Sequence, residues 1–190
     1  MFVKRGVIMK YLSTPLEDLV TNIYSGIGIR KPGHSIEEIA NRMNILISNW
    51  KLPFAIPRVI TLDPLESDEK NREIFAHELC HQLQHVGDQL GMPEAFRKLQ
   101  ECQAHNFALQ FCVPTFMLQK IKMPELKCEC IALIADLFGI SNEFAEKRLL
   151  HYERQLLGSR LHYLFKSSID TSGDNTNHVT SFKLTNTNCH

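Results

Sequence analysis

Three histidines recur at intervals of four, His77, His81 and His85, in a stretch from Asp68 to His85 that holds neither proline nor glycine. On an α-helix, residues four apart lie one turn above each other, so neighbouring imidazoles share a face. The stretch is predicted to be a single helix, closed by Gly87 and by Gly91-Met92-Pro93. Ile74, Leu79 and Leu83 are its expected buried side. Any fold for this chain must bury that side and leave the histidine face on a cleft.

The remaining elements are read from caps and periodicity. Pro15, behind Ser13 and Thr14, starts a helix through residue 26 with Leu16, Leu19, Val20 and Ile23 at helical spacing. Ser35-Ile36-Glu37-Glu38 has the form of a capping box and opens a second helix through about Met43. Residues 44–48 and 58–62 are rich in Ile, Val and Leu and are predicted as short strands, with Pro53 and Pro57 in an edge or loop between them. A helix from about Glu94 to Pro114 carries Phe96, Leu99, Ala104, Phe107, Ala108 and Phe111 as an apolar stripe. A short helix with Phe116, Met117 and Ile121 follows. Residues 125–150 resemble a helix-turn-helix split at Gly139-Ile140-Ser141, and a last helix covers roughly 151–164. The predicted organisation is an N-terminal extension (1–10), a single domain (11–165) and a polar, disordered tail (166–190). The predicted fold class is α+β, mostly helical with a small sheet.

The histidine spacing has a chemical reading. His77 and His81 can bite one ion, and Glu78, one residue past the first, is placed to reach a water rather than the metal. Zinc in a catalytic site takes three protein ligands and keeps one position open. The helix after residue 94 offers two candidates for the third, Glu101 and His105, which share a face. One could bind while the other orients a ligand. Steps of four drift by about 40° on an ideal helix, so His85 would strain as a further ligand and is assigned to supporting the site or lining the cleft.

The segments Phe75-Ala76-His77-Glu78-Leu79-Cys80-His81, Glu101-Cys102-Gln103-Ala104-His105-Asn106-Phe107-Ala108 and Cys112-Val113-Pro114 together resemble the ImmA/IrrE family of metallopeptidases. More narrowly they resemble the XkdA-type members of phages and phage-like elements. The resemblance covers roughly residues 11–160. It implies a zincin fold, one zinc ion held by His77, His81 and Glu101, and Glu78 as general base. It also implies a protein substrate, a helix-turn-helix repressor. Two positions depart from the family pattern. Cys80 stands where glycine is common, and is read as a small packing residue. His105 stands where asparagine or aspartate is common.

Charge and composition exclude some alternatives. Lys plus Arg and Asp plus Glu are 21 each, for a formal net charge of zero, which gives no electrostatic reason to expect a nucleic-acid or membrane partner. Glu143 and Glu146 offset Lys147 and Arg148 in the helix-turn-helix-like part, so DNA binding is a minor alternative. The apolar stretch Ile131 to Ile140 contains Asp136 and is too short to span a bilayer. The N-terminus lacks a signal-peptide core, and the expected location is the cytoplasm. The six cysteines form no CxxC pair and are expected to be reduced thiols. The expected function is a zinc endopeptidase acting on a repressor, with a non-catalytic partner of the same regulator as the alternative. His105, His85, Tyr152 and His151 are candidates to stabilise the oxyanion.

Overall fold

The computed structural model describes residues 11–50, 56–85 and 92–173, with side chains to residue 166. Within it, Ser13–Glu153 cluster as one unit. Thr14 opens α1 (Pro15–Gly26) with a reciprocal capping box. The Glu17 amide donates to Thr14 Oγ1, and Glu17 Oε2 accepts from the Thr14 amide at 2.8 Å. Ser35 caps α2 (Ile36–Arg42) by accepting from the Glu38 amide. The Glu38 carboxylate, however, turns to His34 and Arg42. The box predicted at Ser35 therefore forms by half, because His34 and Arg42 compete for its acid.

The sheet has two parallel strands, β1 (Leu46–Ser48) and β2 (Val59–Thr61), with Leu46 opposite Val59. Both start later than predicted. Asn44 and Arg58 take φ of 55° and 62°, in the left-handed region that strands exclude. Pro53 lies outside the described residues.

Ser67 caps α3 (Asp68–Gln84), the histidine helix. Gln82 ties it to β2: its amide nitrogen donates to the Val59 carbonyl at 2.6 Å, and its oxygen accepts from the Arg58 amide at 2.9 Å. The buried face of α3 is Phe75, Ala76, Leu79 and Cys80, with Ile74 half-buried. Leu83, expected inside, is exposed, since the core lies over the turns before it. α3 packs chiefly against α4 (Glu94–Cys112). Ala104, Phe107, Ala108 and Phe111 are buried on α4, whereas Phe96 and Leu99 of the predicted stripe are exposed. Phe111 is the hub of an aromatic group, with ring centroids 5.1 Å from Tyr24, 5.5 Å from Phe107 and 6.4 Å from Phe75. The small residues Ala76 and Cys80 of α3 and Ala104 and Ala108 of α4 are all buried.

α5 (Thr115–Leu118) and α6 (Lys127–Phe138) follow, and Gly139 ends α6 at φ 61°. The next helix, α7 (Asn142–Gly173), is one continuous element where two were predicted. Ser141 caps it by accepting from the Phe144 amide. Glu73 of α3 in turn accepts from the Ser141 hydroxyl at 2.6 Å and its amide at 3.2 Å. The helical backbone of α7 runs on to Gly173, past residue 166 where the polar tail was predicted to begin. Residues 1–10 and 174–190 lie outside the described residues.

Arg148, offered by the helix-turn-helix reading as a phosphate contact, is fully buried. Its guanidinium donates to the Val113 carbonyl at 3.0 Å, to Gln110 Oε1 at 2.9 Å and to Thr115 Oγ1 at 2.8 Å. The Thr115 hydroxyl donates to buried Glu17, which extends the network to α1. Lys147 is paired with Glu143.

The second unit contains Tyr11, Leu12 and α7 from Arg154 onward. In it the Tyr11 hydroxyl donates to Gln155 Oε1 at 2.8 Å and the Leu12 amide to the Ser159 hydroxyl at 3.3 Å. Among the described residues, no helix is long and apolar enough to cross a membrane.

Candidate metal centre

His77 and His81 stand one turn apart on α3, as the spacing requires, and Glu101 meets them from α4. His77 Nε2 lies 3.1 Å from His81 Nε2 and 3.1 Å from Glu101 Oε2. His81 Nε2 is 3.5 Å from Glu101 Oε1. Ligands about 2.0–2.2 Å from a tetrahedral zinc ion sit about 3.3–3.5 Å from one another. Measured through different oxygens of Glu101, these separations are close to that spacing, and two imidazoles with one carboxylate suit zinc. Among the described residues, no fourth histidine, cysteine, aspartate or glutamate joins this group. One coordination position would stay open.

Burial pushes the His81 ring below the usual histidine range; His77 and His85 add to the effect, and Glu101 and Glu78 oppose it. A neutral imidazole is the form that ligates metal. Glu78 is exposed on the adjoining position of α3, within electrostatic reach of His81.

His105, the rival for third ligand, lies outside the group. It is one turn beyond Glu101, with its ring 6.5 Å from that of Phe144. Burial lowers its pKa, with Lys147 and His77 contributing and Glu73 opposing. A cleft of about 430 Å³ lies alongside, lined by Glu73, Ser141, Phe144 and Lys147 among others. Of the other oxyanion candidates, His151 faces Gln110, and Tyr152 has the Arg148 guanidinium 5.8 Å over its ring. Both belong to the surroundings of the Arg148 network. His85 sits beside the histidine pair, its Nδ1 2.9 Å from His81 Nδ1 and its Nε2 3.1 Å from Gln103 Oε1. Gln103 was not singled out in the sequence. No spacing rule links it to His85, because the two are on different helices. Cys80 is fully buried, with its thiol 3.7 Å from Gln84 Oε1.

The domain is mostly helical α+β, and one helix presents two histidines and its packing partner a glutamate, a group that could hold a metal ion. The chain belongs to the peptidase M78 family, described as the IrrE N-terminal-like domain, which matches residues 35–150. It is 39% identical over 164 residues to the phage-like element PBSX protein XkdA of Bacillus subtilis (strain 168), an alignment covering 81% of this chain and 82% of XkdA. It is also 35% identical over 154 residues to the uncharacterized protein YqaB of the same organism, covering 78% of this chain and 90% of YqaB. No solved structure matches significantly.

Proposed function

We propose that this chain is a zinc-dependent endopeptidase that cleaves a helix-turn-helix repressor of a phage or mobile element. The observation that carries the reading is the convergence of His77, His81 and Glu101, with donor atoms within 4.8 Å of one another, and Glu78 exposed on the neighbouring position. The similarity to a phage-like element protein supports the setting, and the ImmA/IrrE resemblance supports the repressor as substrate. Bound zinc supplies Lewis acidity toward a water molecule and the scissile carbonyl. Glu78 takes a proton from the attacking water as its oxygen bonds to the carbonyl carbon. It then delivers that proton to the amide nitrogen as the C–N bond breaks, leaving a carboxylate and an amine. His77, His81 and Glu101 hold the ion.

The test is Glu78→Gln assayed on a repressor encoded beside the chain's own gene. The variant should keep zinc and fold, and lose about 10²–10⁴-fold in cleavage rate, because an amide cannot accept the proton. Cleavage at the wild-type rate would refute the mechanism. Wild-type protein that binds the repressor without cutting it would establish the non-catalytic alternative.

A further inference from the structure

A histidine offers a metal the lone pair of one ring nitrogen only while its proton sits on the other. For His81 the nitrogen facing His77 and Glu101 is Nε2, so the proton must reside on Nδ1. That proton needs an acceptor, and the group 2.9 Å away is Nδ1 of His85. In a neutral ring, His85 Nδ1 accepts only if the His85 proton is on Nε2. Gln103 meets that nitrogen at 3.1 Å with its amide oxygen, which can only accept. The chain of donors therefore runs one way: His85 Nε2–H to Gln103, then His81 Nδ1–H to His85, which leaves His81 Nε2 bare. His85 can reach back to His81 because it is the cap residue of α3. Its backbone has left the helix for extended angles, φ −107° and ψ 121°.

We propose that His85 and Gln103 are positioning residues that set the tautomer of His81 and so present its Nε2 lone pair to the metal. This rests on the reading that His77, His81 and Glu101 hold zinc. His85 is then not a ligand, and Gln103, two hydrogen bonds from the ion, controls its affinity. Removing Gln103 frees His85 to carry its proton on Nδ1. That would face His81 with a donor and drive the His81 proton onto Nε2, where it blocks the metal.

The inference is tested by titrating the full chain with Zn²⁺ against a chromophoric chelator, in wild type, His85→Ala, His85→Asn and Gln103→Leu. Wild type should bind one ion. His85→Ala and Gln103→Leu should each weaken binding by about 10–100-fold, the range seen when partners of metal ligands are removed. His85→Asn should keep most of the affinity, because its side-chain oxygen can replace the accepting Nδ1. Ring-nitrogen NMR of the zinc-loaded wild type keeps the test decisive even if a variant unfolds. It should find the His81 proton on Nδ1 and the His85 proton on Nε2. Undiminished affinity in folded His85→Ala and Gln103→Leu, or a His85 proton on Nδ1, overturns the proposal while leaving the zinc site standing. Wild type that takes up no zinc, or His81→Ala that takes up as much as wild type, refutes the metal reading and this inference with it.

Discussion

Glu101 and His105 share a face of α4, and their side chains meet different surroundings. Glu101 touches both histidines of α3, whereas His105 turns toward Phe144. Glu101→Ala should therefore lose most of its zinc, since two imidazoles alone would remain. His105→Asn should keep a full equivalent, and elemental analysis of the two purified variants reads the contrast directly. The reverse pattern would make His105 the ligand. Cysteine chemistry is equally local. Burial pushes the Cys80 thiol up to about 11 and that of Cys112 up to about 12. Raising a thiol pKa removes the thiolate nucleophile, so both stay protonated at pH 8. Iodoacetamide at that pH should label exposed Cys102 and Cys128 in the native protein and spare Cys80 and Cys112, as peptide mapping will show. Labelling of Cys80 at the rate of Cys102 would contradict its burial.

At the level of elements, the junction between α6 and α7 is held by backbone geometry. Gly139 sits at φ 61°, and a Cβ there would lie 3.4 Å from the Arg72 guanidinium nitrogen. Gly139→Ala should cost about 1–2 kcal/mol of stability, the penalty of a left-handed residue with a side chain, measured by urea unfolding. No change would mean that the junction relaxes. The sequence showed this break as a turn between helices. It did not show that the following cap, Ser141, is gripped by Glu73 of α3. Nor did it show that Gln82 clamps β2. Both contacts join residues far apart in the chain, where no local pattern operates. The apolar stripes were legible in part. Leu79 and Phe107 are buried as expected, but Leu83, Phe96 and Leu99 are exposed. Periodicity gives a helix its buried direction, not the length over which a neighbour covers it.

On the scale of the whole molecule, Arg148 links the start of α7 to α4 and α5, and through Thr115 to α1. Truncating it would leave Gln110, Thr115 and the Val113 carbonyl in the interior with fewer partners. Arg148→Ala should destabilise the protein by about 3–5 kcal/mol, as breaking a buried charged network does. Thermal unfolding monitored by circular dichroism checks this. A loss under 1 kcal/mol would show that water or neighbouring groups replace the guanidinium. In the sequence Arg148 was one cation of a mixed-charge helix. Only burial separates it from Lys147, its exposed neighbour.

The sequence by itself determined the helical carriers and the chemistry they bring. The four-residue step from His77 to His81, the acid at 78 and the glutamate at 101 are properties of local geometry and residue type, which an α-helix expresses wherever it is placed. Tertiary structure decided the rest. The packing of α3 on α4 brings Glu101 to the histidine pair and turns His105 aside. The same packing sets Gln103 against His85, although nothing in their positions along the chain relates them. These outcomes depend on how closely and at what register two helices meet. That is settled by the shapes of all the side chains between them, and so could not be read from any one segment.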